Sequence, residues 1–202
     1  MSDNDLFGRP STSDDGQRSE HDRYYTPSWM TEALRRYHPI DPTATILEPC
    51  AGDGAIARVF EAAGHHVLTN DLDRRQPAQL GYDATAAALW QVVARSPGVS
   101  VVVTNPPFNH ALQILQRAIA AVPLVAMLLR KTFLEPTEER GEFLRQHPPT
   151  RILGLQRHSF RGQGNDSVSC DWMIWEAFPN RSLPPIVVVP DARPVKVRRR
   201  RA

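Results

Sequence analysis

The chain has 202 residues, of which 41% are hydrophobic and 23% charged. That is room for one domain with a real core, and it excludes wholesale disorder. No apolar run approaches the roughly 20 residues a membrane helix needs. Cys50 and Cys170, the two cysteines, cannot build a disulfide framework or a four-ligand zinc site, so a cytoplasmic, reducing compartment is the default and no metal is expected.

The net charge of +2 hides an asymmetry. Residues 1–22 carry six acids against two arginines, with few apolar side chains, and read as a disordered acidic leader. Residues 191–202 carry five arginines and one lysine against one acid and read as a basic flexible tail. Between them, 23–190 is the expected folded domain. Ser28 opens a helix whose apolar side is Trp29, Ala33, Leu34 and Tyr37, and His38-Pro39 ends it. Strand 44–47, helix 52–63, strand 66–70, loop 74–82, helix 84–95, strand 99–104, helix 110–121, strand 124–129 and helix 137–146 follow in alternation. Strands separated by helices imply a doubly wound, mostly parallel α/β sheet. Residues 151–160 and 167–178 flank the loop Gly162-Gln163-Gly164-Asn165, a hairpin signal that adds antiparallel edge strands. Trp172 and Trp175, three apart, should face opposite sides of their strand, one in the core and one open to solvent.

Two constellations carry chemistry. In Leu47-Glu48-Pro49-Cys50-Ala51-Gly52-Asp53-Gly54 a strand ends in an acid, a glycine turn follows and a helix begins. Glycines there let a ligand approach the backbone, and the helix start offers unpaired N–H groups. Asp71 follows 17 residues after Gly54, at the end of the next strand, and Asp83 lies at the end of a candidate third strand. An acid at that distance suits ribose hydroxyls. Position 57 is alanine rather than the third glycine of the nicotinamide fingerprint, and Glu48 would repel a pyrophosphate. A ligand with a cationic amine fits better, which favours S-adenosylmethionine (SAM) over NAD. Cys50 in this turn reads as a small packed residue rather than a nucleophile.

The second constellation is Thr104-Asn105-Pro106-Pro107-Phe108, closing the strand 99–104, the strongest strand signal in the chain, with valine at four of six positions. The two prolines remove backbone donors and stiffen the chain. The Asn105 side-chain oxygen and the Pro106 carbonyl become acceptors, and Phe108 adds a flat face. The set describes a receptor for a planar group bearing an NH₂.

Glu48 to Gly54 together with Asn105 to Phe108 resembles the class I SAM-dependent methyltransferases of exocyclic amines, and above all the N6-adenine enzymes. Tyr25-Thr26-Pro27 is similar to their upstream motif. Residues 130–136 and 164–167 also look like features of small stand-alone members from phages and mobile elements. The resemblance spans about residues 24–178. It implies a seven-stranded Rossmann-like sheet with an antiparallel C-terminal hairpin. It implies SAM bound by Tyr25, Thr26, Pro27, Glu48, Cys50, Ala51, Gly52 and Gly54. Asp71 would take the ribose, and Leu72, Asp83 and Ala84 the adenine. Asn105, which also borders the cofactor, Pro106, Pro107 and Phe108 would hold the target base. The implied activity is DNA adenine-N6 methylation of a flipped base. RNA or protein glutamine as substrate, or a non-catalytic SAM- or nucleic-acid-binding protein, are the competing readings. No segment is long enough for a separate recognition domain, so specificity is short, relaxed or supplied by a partner.

Overall fold

The computed structural model describes residues 26–96, 98–135, 137–159 and 167–190. The acidic leader, Tyr25, the Gly162 to Asp166 loop and the basic tail lie outside them. The elements run α1 (Ser28–Tyr37), β1 (Thr45–Glu48), α2 (Ala55–Ala62), β2 (His66–Thr69), α3 (Ala87–Ala94), β3 (Val99–Thr104), α4 (Ala111–Ala121), β4 (Leu124–Arg130), α5 (Glu138–Gln146), β5 (Arg151–Gly154), β6 (His158–Ser159), β7 (Ser167–Val168), β8 (Cys170–Glu176) and β9 (Ile186–Val188). One seven-stranded sheet has the order β2-β1-β3-β4-β8-β5-β9, and β6 pairs with β7 beside it. Only β8 runs against its neighbours in that sheet. The α/β architecture is the one expected. No helix among the described residues is long and apolar enough to cross a membrane.

Alternation along the strands divides the core in two. Ile46, Val101, Val103, Leu128 and Trp172 face α1 and α2, where Met30, Leu34, Ile56 and Phe60 meet them. Leu47, Val102, Met127, Met173 and Trp175 face the other way, toward Leu89 and Trp90 of α3 and Ile114 and Leu115 of α4. A sheet covered on both faces is why β3, Val99–Thr104, reads as a nearly continuous valine run.

Three details differ from the sequence expectations. The strand 170–176 is not an edge: β8 lies between β4 and β5, and β9 forms the outer edge by pairing in parallel with β5. Both faces of β8 are therefore covered, so Trp172 and Trp175 do face opposite ways but both are buried. The candidate third strand before Asp83 is reduced to one bridge, Asn70 to Leu80. Side chains complete that edge: Gln79 Oε1 accepts from Thr69 N at 2.9 Å, and Thr69 Oγ1 accepts from Gln79 N at 3.1 Å. Pro77 beside this stretch removes a ladder donor.

Chain order reverses at β1, which pairs with β2 on one side and β3 on the other. Open α/β sheets bind ligands outside the carboxyl ends of the strands at such a reversal. The residues that end β1 and β3 are Glu48 and Thr104. Both chemical motifs thus leave adjacent strands at the same edge of the sheet.

Candidate active site

The turn after β1 is built on two glycines in the left-handed region, Gly52 at φ 53° and Gly54 at φ 78°. Other residues would be strained there. Gly54 N donates to Ala51 O at 2.8 Å, and Ala51 N donates to Asn70 O at 2.9 Å, so the turn is tied to the end of β2. A Cβ built on Gly52 meets no atom within 4 Å, which leaves open space above the turn. The helical geometry expected from Gly52 starts only at Ala55, because positive φ cannot continue a right-handed helix.

Asp71 is half-buried and holds the turn from β2. Its Oδ2 accepts from Gly52 N at 2.7 Å, and its Oδ1 accepts from Asp73 N at 2.8 Å. Glu48 lies beneath, 1% exposed, with Oε2 accepting from Ala57 N at 2.9 Å. It satisfies one of the donors at the start of α2. Burial pushes its carboxyl pKa well above the usual range, and the Ala57 N–H opposes that shift. Nearby Asp53 and Asp71 add to the rise. Glu48 therefore enters the site from below, as a buried cap.

Cys50 marks where the groups converge. Its thiol sits among Glu48, Asp71, Asp83 and Thr104. Burial, reinforced by these acids, pushes the thiol far above the normal cysteine range, so it is inert as a nucleophile. Asp83 is exposed and accepts from Thr85 N at 2.8 Å and Thr85 Oγ1 at 2.7 Å. Leu72, next to Asp71 in sequence, is 55% exposed, whereas Ala84, next to Asp83, is buried and its carbonyl accepts from Trp90 Nε1 at 2.9 Å.

The lip after β3 is rigid. Thr104 and Pro106 are buried, Asn105 and Phe108 half-buried, and Pro107 exposed. A short 3-10 turn, Phe108–His110, leads into α4. Asn105 Nδ2 donates to Thr26 Oγ1 at 3.1 Å, joining side chains 79 positions apart. Thr26 is buried, and Pro27 precedes the first turn of α1, where its carbonyl accepts from Met30 N at 3.0 Å. α1 is in turn fixed by Trp172, whose Nε1 donates to Met30 O at 2.7 Å. Phe108 packs against the core on the α1 side, and the Arg130 guanidinium carbon stands 4.4 Å from its ring centroid.

Glu48, Cys50, Ala51, Gly52, Gly54 and Asp71 thus gather at the turn after β1, and Thr26 and Asn105 join at the end of the neighbouring β3, with Pro27, Pro106, Pro107 and Phe108 adjoining that pair and Asp83 following Tyr82. Sequence reasoning passed over two residues. Asn70, fully buried, donates from Nδ2 to Pro49 O at 2.8 Å and Tyr82 O at 2.9 Å, and its Oδ1 accepts from Tyr82 N at 2.8 Å. It locks the glycine turn to the segment leading to Asp83. Its signal is an amide directly after the strand β2, at a fully buried position where a hydrophobe is the default. Arg130, which ends β4, was noted only as part of the 130–136 segment, and its place over Phe108 has no local signal. Among the described residues no group of three His, Cys, Asp or Glu could hold a metal.

No protein-family model and no curated protein matches the sequence. Solved structures do match in fold. A modification subunit assigned to a type I restriction enzyme of Vibrio vulnificus superposes with a TM-score of 0.60 at 13% identity, over 87% of this chain and 49% of that one. The type I restriction-modification methyltransferase subunit of Streptococcus thermophilus gives 0.53 at 13% identity, over 78% and 45%. The rRNA methyltransferase aviRa of Streptomyces viridochromogenes gives 0.51 at 14%, over 79% and 88%. The chain spans about half the length of the two restriction-modification subunits. It has the Rossmann-like fold of methyltransferases.

Proposed function

We propose that the protein is a SAM-dependent methyltransferase that methylates the N6 amine of adenine in DNA. The observation that carries this reading is the hydrogen bond from Asn105 to Thr26, which joins the proline lip after β3 to the turn heading α1. The residues fit the cofactor: the space over Gly52 admits its methionine part, and the buried Glu48 carboxyl is an acceptor for its ammonium. Asp71 would receive the ribose. Leu72, Asp83 and Ala84 would border the adenine. When bound, SAM supplies a methyl group made electrophilic by a sulfonium.

The chain's own residues prepare the nucleophile. With Nδ2 turned to Thr26, the Asn105 amide has Oδ1 pointing away from it, as an acceptor for one N6 hydrogen. The Pro106 carbonyl accepts the other. Held by both, the nitrogen is drawn out of conjugation and its lone pair is directed along one line. Asn105 and the Pro106 carbonyl would thereby aim that lone pair at the methyl carbon that bound SAM would supply, opposite its sulfur. The proton then lost from nitrogen passes along the same acceptors toward solvent. Catalysis is positioning plus dipoles aimed at the growing positive charge.

A paired adenine cannot reach this lip, so it must leave the duplex at a cost of a few kcal/mol. Stacking on Phe108 returns roughly 1–3 kcal/mol. The test is incubation of the protein with SAM and unmethylated DNA, followed by mass spectrometry of the nucleosides. N6-methyladenine is expected, and it should vanish in Asn105→Ala while that variant still binds SAM. Product on RNA alone would move the substrate to RNA. SAM binding with no product on either polymer would remove the enzyme reading.

A further inference from the structure

Arg130 occupies the position where a stacked base belongs. It is the last residue of β4, and Thr104, the last of β3, is level with Met127. Arg130 therefore lies three residues, about 10 Å of extended strand, beyond the end of β3. It overhangs the lip. There its guanidinium covers Phe108 at 4.4 Å from the ring centroid. The ring also packs against the core, and a base stacking on the face that Arg130 covers would have to take its place. A base needs that face at van der Waals distance, and both cannot have it.

Its neighbour behaves differently. Lys131 Nζ is 3.6 Å from Asp171 Oδ1, and Lys131 N donates to Ser169 O at 3.0 Å. Asp171 is buried, and its Oδ1 also accepts from Leu155 N at 2.8 Å. Lys131 is thus tethered. Arg130 is exposed and has no ion pair among the described residues, where its guanidinium meets the Phe108 ring. An exposed cation–π contact is weaker than a base–aromatic stack, so an entering base displaces it. The displaced guanidinium carries a planar fork of donors suited to a phosphate, and the nucleotide that enters brings one with it.

We propose that Arg130 is a positioning residue that holds the base seat on Phe108 before substrate arrives, yields it to the extruded adenine, and then engages that strand's phosphate. This rests on the adenine-N6 reading of the site. The two halves of the exchange have opposite signs in one variant. In Arg130→Ala the seat is open and the phosphate contact is gone. With SAM saturating, its kcat/KM on 2′-deoxyadenosine, which has no phosphate, should rise severalfold. Its affinity for DNA should fall about tenfold, and the slope of log affinity against log salt should shrink by about 1. Arg130→Lys keeps the charge, so its salt slope should match the wild type. SAM affinity, measured by calorimetry, should be unchanged in both and reports intact folding.

A nucleoside kcat/KM in Arg130→Ala equal to or below that of the wild type, or an unaltered salt slope, overturns the exchange. If the wild type methylates DNA and Arg130→Ala is indistinguishable from it, only the role of Arg130 falls. If the wild type methylates neither DNA nor nucleoside, the adenine-N6 reading falls, and the exchange with it.

Discussion

Replacing Asn70 with alanine tests how the cofactor side of the cleft is held. The side chain makes three hydrogen bonds to backbone atoms, two to Tyr82 and one to Pro49. Each such bond contributes about 1 kcal/mol net. Tyr82 is 37% exposed, so water can reach its backbone in the variant, whereas Pro49 is buried and its carbonyl stays dry. A buried group left unpaired costs about 1–3 kcal/mol. The expected loss is about 2–4 kcal/mol, or roughly 5–15 °C in Tm for a domain of this size. Urea unfolding gives the first quantity. Leu153→Ala is the control: Leu153 is fully buried on β5, away from the cleft, and should cost about 2–5 kcal/mol through its cavity. SAM affinity separates the two, because Asn70 also positions the glycine turn through Pro49. Asn70→Ala should lose at least tenfold more SAM affinity than Leu153→Ala at conditions where both are folded. A stability loss below about 1 kcal/mol, or equal SAM affinities in the two variants, refutes the clamp.

Two further expectations concern protons. Glu48 has a raised pKa in the ligand-free fold, so it holds its proton above the usual carboxyl range, and its contribution to stability is greatest below pH 4.5 and declines as pH rises through the folded pKa. An ammonium arriving beside it favours the carboxylate; SAM binding should therefore release a proton and strengthen with pH. Calorimetry in two buffers of different ionisation enthalpy counts that proton, and a zero count in the wild type, or no difference from Glu48→Gln, contradicts it. His38 is shifted the other way: burial lowers its pKa from 6.5, Glu176 opposes the shift, and Arg151 reinforces it. Arg151 Nη1 lies 3.3 Å from His38 Nδ1, a contact that requires the neutral ring. Its stabilisation is complete above about pH 6.5 and is lost as pH falls below that value toward the folded pKa. Urea midpoints at about pH 7.5 and pH 5 should show this acid loss, and His38→Gln should flatten it.

Patterns of local origin were legible in the sequence. The valine run marked β3 because both faces of the sheet are covered, and the Gly52 to Gly54 spacing marked the turn because only glycine tolerates those angles. Helix starts were read too early at 52 and 84. In the first case positive φ, and in the second the Asp83–Thr85 hydrogen bonds, hold the chain in turns ahead of α2 and α3. What was not legible depends on partners far along the chain. Asn70 matters through Pro49 and Tyr82, and Arg130 through Phe108, 22 positions away. The interior place of β8 follows from what pairs with it, β4 and β5, and no window of its own sequence encodes that. Likewise the cap that Glu48 forms on Ala57, nine positions on, depends on how the turn folds back and has no signal at Glu48 itself.

The indole of Trp172 has a consequence for the birth of the protein. It anchors α1, the element headed by Thr26, yet it belongs to β8, a strand made 142 residues after the carbonyl it holds. A ribosome-bound chain that has emerged only through β4 possesses the glycine turn and the proline lip but lacks the strand that seats its own beginning. Closing that long loop must wait for Cys170–Glu176 to leave the exit tunnel. Seating of α1 therefore waits on a strand made far along the chain, and a chain cut before β8 lacks that anchor.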